Sequence, residues 1–281
     1  SFFADSLPIF SWMHIFWSWT DFPALGVKGA AISTLIASIW TFIHYAIFLY
    51  SKEIRSKFEI FKVKFDYTMM KRQISLAVPQ GLQEMVVTGG FAFFFKILGM
   101  IGTVELATTE VVFTIMHASF MPAIGVGQAC ATLVGKYMGE EKTDTADIAI
   151  WESVRWALII MGSMGTIFIL IPHWILPLFT NDIEIIKYGI NGLRFVGLLQ
   201  FADAVSITLW FALSGAGNTV FPGTVDAFLC WLFFLPGSYY FGVIKGFGFW
   251  GPWTFLGLYI LIFAIILFWK VKQGTWKTIE V

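Results

Sequence analysis

The sequence predicts an all-α polytopic transmembrane helix bundle. Three observations carry that reading. Of the 281 residues, 58% are hydrophobic and only 13% are charged, about half the charged share of a soluble domain. Mean hydropathy is +0.77. The apolar residues gather into continuous runs of the length that a membrane helix needs, ~20 residues. They do not form the short alternating segments of a membrane β-barrel.

Eight candidate spans follow in order, at roughly 6–20, 29–50, 75–99, 108–135, 156–179, 188–214, 220–243 and 251–269. The first is short and already apolar. It lacks the basic start and small-residue cleavage site of a secretory signal, and reads as a helix cut into by the start of a fragment. The second opens with Gly26-Val-Lys-Gly29, and the last opens similarly with Gly248-Phe-Trp-Gly251. The two elements are separated by what six spans and their loops would occupy, as a parallel repeat of a secondary transporter would be.

Between the second and third spans lies the longest polar stretch, 51–74, rich in Lys and Arg and interleaved with Ile54, Phe58, Phe61 and Phe65. It reads as an amphipathic linker at the membrane surface. The spans at 75–99, 108–135 and 220–243 enclose Pro79, Pro122 and Pro222, which free backbone carbonyls and bend the axis. Thr180–Glu184 supplies an N-cap for the sixth span, and Ser214-Gly-Ala-Gly-Asn218 closes it in a tight turn.

Basic residues favour the cytoplasmic side. They concentrate at 51–72, after the fourth span at Lys136 and Lys142, and after the last at Lys270, Lys272 and Lys277. These segments, and hence the C-terminus, are expected in the cytoplasm. The formal net charge is zero, so nothing points to nucleic acid.

The candidate functional residues are ionisable groups inside apolar runs, where a carboxylate at mid-depth costs at least ~2.5 kcal/mol. Glu84 lies about 16 Å in from Gln73, and Gln80, Glu84 and Thr88 share one helix face. Asp203 lies about 16 Å from Ser214, with Gln200 and Ser206 on its stripe and Trp210 below. Two carboxylates at matched depth could face one cavity. Glu110, Thr114, His117 and Met121 fall on one face of the fourth span, where His117 could relay protons or simply pack. Asp226, close to the cytoplasmic end, suggests an interfacial role. Lys96 and Arg194 can snorkel to the headgroups.

Glu152 and Arg155 suggest a boundary ion pair. Cys130 and Cys230 read as small hydrophobes. The four histidines show no metal-ligand spacing. No phosphate loop or catalytic constellation appears, which argues against an enzyme.

The stretches Gly26–Thr34 (GVKGAAIST), Met121–Gly139 (MPAIGVGQACATLVGKYMG) and, above all, Asp203–Gly217 (DAVSITLWFALSGAG) carry a resemblance. With Leu98-Gly99 ending the Pro79 helix, the chain resembles the multidrug and toxic compound extrusion (MATE) family of secondary transporters. The resemblance implies that 1–50 are the last two helices of an N-terminal lobe, 51–74 the cytoplasmic linker, and 75–281 a six-helix C-terminal lobe. It implies an antiporter in the cell inner or plasma membrane, working as a monomer among lipids. Small organic, often cationic, compounds would leave in exchange for Na⁺ or H⁺, without a cofactor. Glu84 and Asp203 would bind the coupling cation, with Gln200 and Thr88 contributing oxygens, while Gln80, Ser206, Trp210 and His117 would line the substrate cavity. The alternative is a flippase for lipid-linked oligosaccharides, which would want more Arg and Lys in its cavity than Lys96 and Arg194.

Overall fold

A computed structural model describes residues 26–50 and 66–278 of the chain. The candidate span at 6–20 and the linker residues 51–65 lie outside the described residues. Every regular element among the described residues is helical. Seven helices there are long and apolar enough to cross a membrane. They are α1 (Gly26–Tyr50), α2 (Tyr67–Ile101), α3 (Thr103–Gly139), α4 (Thr143–Leu170), α5 (Ile183–Gly215), α6 (Val220–Ile244) and α7 (Trp250–Lys272). The chain divides into two units, residues 1–74 and 75–281.

In the first unit, α1 presents apolar side chains such as Leu35, Trp40, Phe42 and Phe48 on its outside. Ser38 and Thr41 donate their hydroxyls to carbonyls one turn back at 2.9 Å. Hydroxyls satisfied within their own helix in this way suit a lipid environment.

In the second unit, most helices outrun the apolar stretches that reveal them. Helix α4 starts at Thr143, well before the apolar run, because its polar first turns carry Asp144, Asp147 and the exposed Glu152–Arg155 ion pair at 3.8 Å. It stops at Leu170, and the chain turns at Ile171 and Pro172 into a short helix and a 3₁₀ turn at Leu176–Leu178. The residue before a proline is pushed out of the helical region, so the apolar run to 179 is not one continuous span. Asp182 caps α5, accepting from the Glu184 N–H at 2.8 Å. Gly217 closes the helix with φ 82°, as its N–H donates to Ser214 O and that of Asn218 to Leu213 O. Pro79, Pro122 and Pro222 sit within α2, α3 and α6.

Helix α5 is the centre of the unit, with 61% of its most apolar stretch buried, the highest share of the seven. It packs on α3, α4 and α7, and α6 packs on α7. Helices α2 and α6 run parallel, as three contacts in register show. Gln83 Nε2 donates to Thr224 Oγ1, Trp231 Nε1 donates to the Val86 carbonyl, and the rings of Phe94 and Phe234 meet at 5.0 Å.

Two of the three apolar clusters of the core lie at opposite ends of the bundle. One holds Phe94, Met116, Val196, Phe234 and Trp253. The other holds Cys130, Leu213, Leu267 and Trp276. Between them runs a layer where the polar residues Ser119, Gln200, Asp203 and Asp226 are buried.

Candidate coupling site

Asp203 sits in that layer because α5 passes through the middle of the bundle. It is 7% exposed. Its Oδ2, and Oε1 of Gln200 on the same helix face, are buried without a hydrogen-bond partner among the described residues. Gln200 Nε2 is engaged, donating to Ser119 Oγ on α3 at 2.6 Å. Ser206 is buried too, but its hydroxyl donates to the backbone carbonyl of Asp203 at 3.1 Å and so serves the helix. Trp210 is half-buried, edge-on to Phe263 at 5.9 Å. That places it in the core more than on an open wall.

The other predicted residues face outward from this unit. Gln80, Glu84 and Thr88 are all exposed along α2. On α3, Glu110, Thr114 and His117 are exposed as a second polar stripe, with Thr114 donating to the Glu110 carbonyl at 2.8 Å. The ring centroid of His117 lies 6.2 Å from that of Phe120. Arg194 donates Nε to the carbonyl of Ile169 at 3.3 Å. Cys130 and Cys230 are buried free thiols.

Among the described residues no hydrogen bond or ion pair joins Glu84 to Asp203. Asp226 is 2% exposed and accepts the hydroxyl of Tyr259 on α7. It is therefore a buried member of the polar layer, not an interfacial residue. Distance along α6 alone misleads, because α7 covers this part of the helix. The signal that could have revealed this pair is Tyr259 itself, a phenol in the middle of the most apolar span.

As a cation site, the layer offers two buried, unpaired oxygens, Asp203 Oδ2 and Gln200 Oε1. Among the described residues no three His, Cys, Asp or Glu side chains close into a metal-binding group. Both donors are oxygens, the ligand type that hard cations take.

Residues 79–240, more than half of the chain, match the family model described as MatE. The chain belongs to the MatE family. Over 260 residues it is 28% identical to a probable multidrug resistance protein NorM of Thermotoga maritima, covering 91% of this chain and 55% of that protein. Its fold resembles that of the eukaryotic MATE transporter AtDTX14, with TM-score 0.81 at 16% identity over 91% of this chain and 57% of the other. It also resembles the outward-facing conformation of a multidrug resistance MATE family transporter, with TM-score 0.79 at 17% identity, covering 91% and 58% respectively. This MatE chain spans about half the length of the curated relatives it matches. The relatives it matches are named as transporters, and the seven apolar helices of the described residues fit a multi-pass membrane protein.

Proposed function

We propose that the chain forms the C-terminal lobe, residues 75–281, and the last two helices of the N-terminal lobe, residues 1–50, of a secondary antiporter. Residues 51–74 are then the cytoplasmic link between the lobes. The protein exports amphipathic, often cationic, organic compounds in exchange for Na⁺ or H⁺. It works as a monomer in the inner or plasma membrane with its C-terminus in the cytoplasm.

The observation that carries this reading is Asp203, a carboxylate with an unpaired oxygen on the most enclosed helix of the bundle. The exposed stripes of α2 and α3 support it. Polar side chains such as Gln80, Glu84, Thr88 and His117 are too costly to face lipid at mid-membrane and belong against a water-filled cavity. A cation on Asp203 or Glu84, with Gln200 and Thr88 contributing oxygens, cancels the negative charge that otherwise holds a cationic substrate. Ion and substrate then compete, and alternating access turns competition into exchange. The sugar-lipid flippase is less favoured, since Arg194 spends a donor on the Ile169 carbonyl instead of offering it to a pyrophosphate.

The test uses the full-length protein containing this chain, reconstituted in vesicles. Export of a fluorescent cation is followed under separate Na⁺ and pH gradients, for the wild type and Asp203→Asn. Export driven by one gradient and lost in the variant supports the antiporter and names its ion. Gradient-independent behaviour of a folded protein overturns it.

A further inference from the structure

A crevice between α2 and α6 takes no part in the exchange just described. It measures about 370 Å³ and lies wholly within the second unit. Phe93 and Met100 line it from α2, and Trp231 and Leu235 from α6. Leu235 is buried and forms part of the floor, while the other three are exposed at the mouth. The walls are braced against each other. Trp231 donates Nε1 to the Val86 carbonyl at 2.9 Å and meets the Phe93 ring edge-on at 5.4 Å.

Two polar side chains, Lys96 and Tyr239, line the same crevice. Lys96 is exposed, with Nζ 6.0 Å from the centre of the Phe93 ring, and it forms no ion pair among the described residues. It stands less than two turns before the end of α2 at Ile101, where a lysine reaches the headgroup level. Tyr239 is exposed as well and has a hydroxyl to donate. A surface that only faces lipid tails gains nothing from a cation. An apolar slot with an unpaired ammonium and a phenol at its edge is complementary to an amphiphile with a hydrocarbon tail and an anionic head. Basic pockets between membrane helices hold acidic headgroups in this way.

We propose that the α2–α6 crevice binds one acidic phospholipid. An acyl chain lies against Phe93, Met100, Trp231 and Leu235, and the headgroup phosphate meets Lys96 and Tyr239. The inference goes beyond the transport reading and is independent of the coupling ion. Walls already held in place lose little freedom when the chain enters. Lys96 supplies the preference for an acidic lipid over a zwitterionic one, because only the acidic lipid brings a net negative charge.

The experiment follows lipid retention by the full-length protein in detergent, using native mass spectrometry with added phosphatidylglycerol or phosphatidylcholine. The wild type is expected to hold its first phosphatidylglycerol more tightly than its first phosphatidylcholine. Lys96→Gln should weaken the former about fivefold and leave the latter unchanged, and Lys96→Arg should keep the preference. Lys245→Gln is the control. Lys245 is also exposed, 5.6 Å from the Tyr240 ring centre, but lies outside the crevice, so the preference should survive there. Met100→Trp fills the mouth and should weaken both lipids.

Equal retention of the two lipids by the wild type overturns the proposal. So do equal losses in Lys96→Gln and Lys245→Gln, which would reflect surface charge alone. Unchanged retention in Met100→Trp overturns it too, since the lipid would then be held without the crevice. No arm reads transport. Failure here leaves the antiporter standing, and failure of gradient-driven export leaves the lipid site standing.

Discussion

Gly165 on α4 and Gly197 on α5 face each other so closely that a Cβ on either would meet the other's carbonyl oxygen at about 2.5 Å, 2.5 Å one way and 2.6 Å the other. In a bilayer, where lipid is as apolar as a leucine surface, helices associate through close packing of this kind. A Cβ on Gly197 would also meet Ile169 Cγ1 at 2.8 Å, so neither backbone nor neighbour can give way cheaply. Gly197→Val is therefore expected to push α4 off α5 and to destabilise the lobe by about 1–3 kcal/mol or more. Gly81, which has open space around it, should tolerate Ala. Thermal unfolding in detergent compares the two, and equal transitions would mean that the α4–α5 approach is softer than its geometry.

Two helices end in the same way with different residues. After α5 the left-handed position is Gly217, and after α3 it is Glu141, with φ 59°. In both, the backbone closes the pattern of a Schellman turn. Lys142 N–H donates to Tyr137 O at 2.8 Å, and Asn218 N–H to Leu213 O at 2.8 Å. An L residue pays about 1–2 kcal/mol in this conformation and glycine does not. Glu141→Gly should therefore stabilise the protein and Gly217→Ala destabilise it, each by roughly 1 kcal/mol. The pair is read by the sign of the shift in thermal midpoint, and two shifts of the same sign would defeat the explanation.

The bundle was legible in the sequence because a membrane helix announces itself by length and apolarity alone, and because Asp182 and Gly217 carry their capping chemistry in their side chains or lack of them. Asp203 was legible for a related reason, since any carboxylate in so apolar a run stands out. What the residues did not reveal was which helices meet. Asp226 looked interfacial when its depth was counted along α6, and only the packing of α7 places Tyr259 over it. The break after Leu170 was hidden by the apolar residues that continue beyond Pro172. Hydropathy cannot register a turn made of apolar residues.

The loop after α3 gives a small and specific pH dependence. Lys142 Nζ lies 2.8 Å from Glu140 Oε2. That hydrogen bond, helped by the charge of Lys142, holds the Glu140 carboxyl below its ordinary value, and the same bond holds the Lys142 ammonium above its own. The stabilisation from Glu140 is thus present above the carboxylate's unfolded value and lost as pH falls through the folded one. That from Lys142 is present below the lysine's unfolded value and lost as pH rises through the folded one. Between these limits the contribution is flat. Both groups are exposed, so salt screens the pair. Glu140→Gln should leave the thermal midpoint nearly unchanged at neutral pH in high salt. A large shift there would show that the pairs of Glu140 with Lys142 and, at 4.0 Å, with Lys136 escape that screening.

Asp203 and Glu84 should separate stability from transport. Asp203 is buried with one oxygen unpaired, so its charge is a cost to the folded lobe. Glu84 is exposed and makes no hydrogen bond or ion pair among the described residues. Functional sites commonly keep such groups at the expense of stability. Asp203→Asn is therefore expected to hold or raise stability, by up to about 2 kcal/mol. Glu84→Gln should stay within about 0.5 kcal/mol of the wild type. Both should impair gradient-driven export, and the double variant should abolish it while still inserting. Thermal unfolding and vesicle export are measured on the same preparations. A marked loss of stability in Asp203→Asn would mean that the carboxylate is a hub of the fold, and its export defect would then say nothing about coupling.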